Sequence, residues 1–298
     1  LAPLAIPLRI ELADARAADA VAAACRGWAG QAGPGPALVL RIDLSGALVG
    51  TGRTVIHVEG AVMRIHGSGV AAEAEFCRGI ARCAVSAGYL AAPQALFAEV
   101  LEPLVLMMVT QRDRTPVHAS AFVINDTAIL LAGHTGAGKS CLARAADAAG
   151  YQVLSDDTVF VQLAPRLTVW GWPTAAHLLA SDAPGRAGPT RLRNGTLKQV
   201  VPLRSACETA LCCHRAVLCL LTRARDGVAT LEPAPASAVE ERLWPLDSGF
   251  DLLPAQIALA LARLSRGGVW DLRLSRDPAE AVRLLARSIA RLEGSAAS

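Results

Sequence analysis

Aromatic residues are scarce in this chain: five Phe, two Tyr and five Trp in 298 residues, 4% in all. Charged residues are few as well, at 18%, with no run of one sign. Lys+Arg (29) nearly balance Asp+Glu (26), for a net charge of +3. That argues against the dense basic face a nucleic-acid partner requires, and no nucleic acid is expected. Long clean apolar runs are also missing. The stretch 100–110 is the most apolar before the glycine-rich centre, but it is short and holds Glu102 and Pro103. A spanning helix needs about 20 apolar residues, so no membrane partner is expected. The opening LAPLAIPLRIELADAR has neither a basic segment nor a continuous apolar stretch, so it does not read as a secretory signal. None of the eight cysteines stands at C-x-x-C spacing. A chain of this length needs no covalent staples, so buried reduced thiols and a cytoplasmic location are expected.

What the chain has in plenty is small aliphatic side chains. The hydrophobic fraction is 53%, enough for a sizeable aliphatic core. At about 100–200 residues per domain the length implies two domains. The charged stretch QRDRTP at 111–116 is the natural boundary, giving domains 1–112 and 113–298. In the first, 7–12, 37–44, 54–59 and 61–66 read as strands, the last two forming a hairpin across Gly60. Residues 15–28 read as a helix capped by Asp14, and 70–87 and 93–112 as two more helices. In the second, 117–124 and 128–132 read as strands about an Asn125-Asp126 turn. A glycine-rich loop and a helix over 140–149 follow, ended by Gly150. Strands are expected at 151–154, 158–163 and 216–222, an irregular stretch over 170–202, and closing helices at 251–263 and 278–291.

The strongest motif is Gly133-His134-Thr135-Gly136-Ala137-Gly138-Lys139-Ser140, which satisfies G-x-x-x-x-G-K-[ST] between an apolar strand and a helix. Its residue types have physical reasons. Glycines let the backbone curl so that successive N–H groups converge on anionic oxygens. The helix N-terminus adds unpaired donors and a positive dipole end. Lys139 is expected to reach the β- and γ-phosphates of ATP, and the Ser140 hydroxyl to reach Mg²⁺, which keeps several waters and takes few protein ligands. Asp156 and Asp157 follow Lys139 by seventeen and eighteen positions, at the end of a strand expected beside the loop strand. One carboxylate, Asp156 in the metal assignment, suits Mg²⁺. The other suits a base that takes a proton from an attacking hydroxyl; which of the two is the base stays open. His118 opens the strand before the loop strand and is a further candidate.

The run VHASAFVINDTAILLAGHTGAGKSCLARAADAAGYQVLSDDTVFV resembles the catalytic core of the HPr kinase/phosphorylase family. In that family a His-bearing strand, a turn, a strand, the phosphate loop and helix, and a strand ending in two aspartates come in this order. The resemblance implies an α/β fold, with a core like that of HPr kinase and the nucleotide domain of PEP carboxykinase and a smaller N-terminal α+β domain. It also implies phosphorylation of a Ser hydroxyl on a peptide or small protein. The chain also resembles the HPr-kinase-like tailoring kinases found with lasso peptides, which implies a small precursor peptide as the acceptor. The residue after Ser140 is Cys141, where the family carries a Glu, and a thiol is a poor Mg²⁺ ligand.

Weaker candidates lie downstream. Arg186, Arg191, Arg193 and Lys198 fall in the irregular stretch, where basic side chains clamp phosphates or an acidic peptide end; Arg193 and Lys198 are the substrate-binding candidates. Trp170 and Trp172 are expected to anchor the core or a loop. Cys212-Cys213-His214 lacks zinc-ligand spacing. Two other readings stay open: a small-metabolite kinase, and a nucleotide-binding regulatory module without transfer chemistry.

Overall fold

The computed structural model describes residues 1–51, 54–134, 136–172, 176–179, 190–193, 196–203, 211–223, 227–243 and 253–296. The chain is a mixed α/β protein with several sheets. It divides into two compact units, one formed by Leu1–Arg114 and the other beginning at Thr115.

The first unit holds a six-stranded sheet in the order β1-β2-β6-β5-β4-β3. Its strands are β1 (Leu8–Leu12), β2 (Leu38–Leu44), β3 (Val55–Glu59), β4 (Val62–Gly67), β5 (Val70–Glu75) and β6 (Ile80–Val85). β1, β2 and β6 run parallel, and β6 to β3 form an antiparallel meander. Helices α1 (Ala18–Ala24), α2 (Ala87–Leu90), α3 (Pro93–Leu96) and α4 (Glu102–Thr110) complete the unit, with a π-helical stretch Phe97–Leu101 joining the last two. Asp14 accepts from the Arg16 amide at 2.8 Å, but it caps a 3₁₀ turn, Ala15–Ala17; the helix expected over 15–28 is α-helical only over Ala18–Ala24, with a second 3₁₀ turn at Arg26–Trp28.

The helix expected over 70–87 is instead the β5–β6 hairpin. Its alanines favour a helix in isolation. The stretch also alternates: Val70, Ala72 and Ala74 are buried while Ala71 and Glu73 are exposed. Pairing wins because β5 and β6 lie in the interior of the sheet, and Glu73 stands opposite Arg82 on its wet face. The run Pro93–Thr110 is long and apolar enough by composition to cross a bilayer, with a mean hydropathy of 1.3. Leu96, Val100, Leu101, Leu104, Val105, Met108 and Val109 on it are fully buried, so it serves as the core helix of this unit.

The second unit centres on a six-stranded sheet, β10-β8-β9-β17-β19-β18. Strand β7 (Thr115–Val117) leads into β8 (Ser120–Ile124) and β9 (Thr127–Ala132), followed by α5 (Lys139–Ala148). Then come β10 (Val153–Ser155), β11 (Val159–Gln162), β12 (Thr168–Gly171), β13 (Ala176–Leu179), β14 (Thr190–Arg193), β15 (Thr196–Val201), β16 (Cys212–Cys213), β17 (Arg215–Arg223) and β18 (Thr230–Pro233). Helices α6 (Ser237–Leu243) and α7 (Pro254–Ser265), strand β19 (Val269–Leu274) and α8 (Pro278–Ala296) close the chain. Asn125 and Asp126 both take positive φ, 47° and 59°, so the β8–β9 hairpin closes through a two-residue turn whose twist suits the strands.

All six residues of β9 are buried, which requires cover on both faces. Alternation sorts its side chains. Ala128, Leu130 and Ala132 pack with Ile257, Ala260 and Leu264 of α7 and with Val159, Val161 and Val169 of a second sheet. Ile129 and Leu131 pack with Leu142, Ala143 and Ala146 of α5 and Leu285 and Ile289 of α8.

That second sheet runs β16-β12-β11-β7. The single strand expected over 117–124 is therefore two strands in different sheets, broken at His118-Ala119. There the Ala119 amide bonds the Val117 carbonyl at 2.8 Å in a tight reversal. Within 170–202, expected to be irregular, most of the described residues are in strands; residues 173–175, 180–189 and 194–195 lie outside the described residues. Those strands are β12 and a three-stranded sheet, β13-β15-β14. Gly and Pro obscured the strand periods there.

Gly171 on β12 crosses close over β10, where a Cβ would lie 2.5 Å from the Leu154 carbonyl oxygen. Gly171→Val should destabilise the fold by about 1–3 kcal/mol through enforced overpacking. A chemical-denaturation midpoint equal to wild type would contradict this contact.

Candidate functional site

β9 ends at the middle of the central sheet. β17 and β19 run parallel to it and finish at the same edge, at Arg223 and Leu274. On the other side, β10 is antiparallel to β8, which is antiparallel to β9. β10 therefore also ends at this edge. The acid-bearing strand is not adjacent to the loop strand as expected; β8 lies between, a lateral offset of roughly 10 Å at the usual strand spacing. The expectation assumed that consecutive strands pair, whereas the β8–β9 hairpin takes that place. Carboxyl ends of parallel strands are where ligands collect in open α/β sheets.

The loop after β9 is tightly wound. The Ala137 amide bonds the His134 carbonyl at 3.0 Å. Gly136 and Gly138 take φ of 83° and 108°, which only glycine adopts without strain. A Cβ on Gly138 would also meet Leu274 Cδ1 at 2.8 Å. Gly138 is the N-cap of α5. Lys139, only 8% exposed, folds back so that Nζ donates to the Gly133 carbonyl at 2.6 Å and the His134 carbonyl at 3.3 Å. This holds an ammonium over the loop and beside the helix N-terminus, so positive charge converges there. Ser140 and Cys141 are half-buried on the first turn of α5, Ala137 is half-buried and His134 exposed. Thr135 lies outside the described residues.

Asp156, Asp157 and His118 come together where the chain changes sheets. The path crosses from β7 to β8 at His118-Ala119 and back from β10 to β11 at Asp156-Asp157-Thr158, and β7 pairs with β11. Ser120 Oγ, fully buried, donates to the Asp156 carbonyl and ties the two crossings together. Asp156 is 2% exposed. Asp157 faces the other way, its Oδ1 3.7 Å from His118 Nδ1, both side chains about a quarter exposed. The Thr158 hydroxyl donates to Asp157 Oδ2 at 3.5 Å.

The remaining candidates lie apart from this cluster. Arg193 ends β14 and Lys198 is on β15, opposite Arg191; their side chains, and all of Arg186, are outside the described residues. The Trp170 indole donates to Gln162 at 2.9 Å and the Trp172 ring packs tilted against Phe160, centroids 5.8 Å apart, so both anchor the second sheet. Cys212 is exposed and Cys213 buried on β16, facing opposite ways, and among the described residues no three His, Cys, Asp or Glu side chains gather as a metal cage. Arg223 escaped the sequence reading. Its guanidinium lies over the loop, 3.6 Å from where a Gly138 Cβ would stand. Its signal was its place as the last residue of an apolar strand parallel to β9.

In comparisons with known proteins, the chain is similar to the solved structure of the Hpr(Ser) kinase/phosphatase from Coxiella burnetii. The identity is 15% over 60% of this chain and 98% of that one, with a TM-score of 0.30. No family model matches the chain, and no curated protein does.

Burial pushes the thiols of Cys25, Cys83 and Cys219 up to about 12 from an ordinary 9.0. At pH 8 they stay protonated and shielded, so in the native protein a thiol reagent should modify exposed Cys77 and Cys212 first and these three only on unfolding. Because their folded values are raised, the stability they contribute is full below about pH 9 and is lost as pH rises toward 12. The denaturation midpoint should therefore fall between pH 8 and 10.5, and a flat profile would contradict it.

Proposed function

We propose that this chain is an ATP-dependent kinase that transfers the γ-phosphoryl group to a Ser hydroxyl of a peptide or small protein. The observation that carries this reading is the loop between β9 and α5, with Lys139 folded over it, at the sheet edge where Asp156 and Asp157 also end. In this proposal, residues 113–298 form the nucleotide-binding kinase domain. The loop amides and Lys139 hold the β- and γ-phosphates and offset the charge that develops during transfer.

Ser140 on the first turn of α5 and Asp156 after the end of β10 are the proposed holders of Mg²⁺. The Ser140 hydroxyl and the Asp156 carboxylate are hard oxygen ligands, and two protein ligands suffice for an ion that keeps its waters. Bound there, the ion would neutralise phosphate charge. Asp157 is the base. It is the more exposed acid, with His118 Nδ1 3.7 Å from one carboxylate oxygen and the Thr158 hydroxyl on the other. The acceptor Ser Oγ forms a bond to the γ-phosphorus, the bond to the β,γ-bridging oxygen breaks, ADP leaves, and the Ser proton passes to Asp157. Arg193 and Lys198 are the proposed contacts to the peptide.

Cys141 favours a second reading, a nucleotide-binding regulator without transfer, since its soft sulfur stands where an oxygen ligand would assist the metal. A stable phosphorylated product with a Ser-containing peptide separates the two; ATP binding without product supports the regulator. A parallel panel of free serine and sugars separates peptide from metabolite acceptors.

Lys139→Ala should lower transfer about 10³-fold with a native circular dichroism spectrum. Full activity in that variant would remove the loop from the site. Asp157→Asn should cost about 10²–10⁴-fold in kcat without weakening ATP binding. Asp156→Asn should mainly raise the Mg²⁺ requirement. Equal mild losses from both would argue against a catalytic base at either position.

A further inference from the structure

We propose that Ser120 and Ser155 are positioning residues, two buried hydroxyls that fix the direction in which Asp157 presents its carboxylate. The inference rests on the reading of Asp157 as the base.

The two crossings between sheets keep one register. On one side of the break Val117 stands opposite Val159, and on the other Ala121 stands opposite Ser155. Counting inward from either pair puts Ser120 level with Asp156 and His118 level with Thr158. A bulge at Leu154 makes this possible. Val153 is opposite Phe122, so β10 carries one residue more than β8 before Ser155. The extra residue brings the acid-bearing end of β10 into step with β11. Gly171 of β12 lies against it and leaves no room for a Cβ over the Leu154 carbonyl.

At the break the ladders stop and side chains replace their bonds. Ser120, fully buried, donates its hydroxyl to the Asp156 carbonyl. Ser155, 2% exposed, accepts the Thr158 amide on Oγ at 3.3 Å. The Asp156 carbonyl belongs to the planar peptide that enters Asp157, and the Thr158 amide to the one that leaves it. Asp157 therefore hangs between two anchored planes. Fixing both fixes its φ and ψ, and these set where its Cβ points. Only side-chain torsions then remain, and the carboxylate settles with His118 Nδ1 3.7 Å from Oδ1 and the Thr158 hydroxyl 3.5 Å from Oδ2. Both serines are too buried to meet a substrate, so they act through Asp157. A misplacement of about 1 Å at a reacting group costs on the order of 10² in rate.

The test measures phosphopeptide formation from Mg²⁺-ATP and a Ser-containing peptide, with ATP binding followed by titration calorimetry. Ser120→Ala and Ser155→Ala should each lower kcat about 10–100-fold, with the ATP Kd and the peptide KM within about twofold of wild type. Ser120→Thr and Ser155→Thr keep the oxygen and should recover kcat to within about threefold of wild type. Ser86→Ala is the matched control, because Ser86 is a buried hydroxyl of the first unit that donates to the Gly50 carbonyl. It should lower the denaturation midpoint as Ser120→Ala does and leave kcat unchanged. In an Asp157→Asn background, Ser120→Ala should cost less than about twofold more, since the group it positions is gone. A kcat loss in Ser120→Ala and Ser155→Ala no larger than in Ser86→Ala, or one that persists in full beside Asp157→Asn, overturns the inference while the base stands. A wild type that binds ATP and forms no phosphopeptide removes the transfer reading, and the inference with it.

Discussion

A strand buried on both faces cannot leave polar backbone behind when it ends. β9 is such a strand, held by parallel pairing with β17 and covered by α5, α7, α8 and the second sheet. Where it stops, the chain must reverse into α5 within a few residues, and the carbonyls of that turn need partners. Glycines at positive φ supply the reversal, and Lys139 satisfies the Gly133 and His134 carbonyls from within. The same solution that completes the core concentrates donors and positive charge at one point on the sheet edge.

The second constraint is the double crossing between sheets. β7 and β11 pair in one sheet, and their continuations β8 and β10 pair in the other. Each chain segment has to break its strand at the same level, and the residues at the breaks are His118-Ala119 and Asp156-Asp157-Thr158. A break frees backbone groups from the ladders, and Ser120 takes up the Asp156 carbonyl. In the proposed reading these breaks hold the base and its neighbours, between paired strands of the two sheets.

Local chemistry legible from residue types and spacing covered the loop with its helix, the Asn125-Asp126 turn, the Asp14 cap and the end of α5 at Gly150. Each depends on a few consecutive residues with strong backbone preferences. The β5–β6 hairpin was not legible, because alanine and short alternation satisfy a helix as readily as a strand until a sheet partner is present. The break at His118 carried no signal, since nothing in Val-His-Ala-Ser distinguishes one strand from two that change sheets. Arg223 had none beyond a strand end, because it lies far along the chain from the loop it flanks.

The amino-acid sequence by itself determined the chemistry available at the centre: glycines able to curl, a lysine and a serine at a helix start, two acids after the next strand. Those are short-range properties, set by φ/ψ preferences and side-chain type. Tertiary structure alone decided the arrangement. It put β8 between β9 and β10, brought His118 to Asp157, and set Arg223 and the acids on opposite sides of the loop. Strand order is a long-range outcome of which apolar faces bury each other, and no local pattern encodes it.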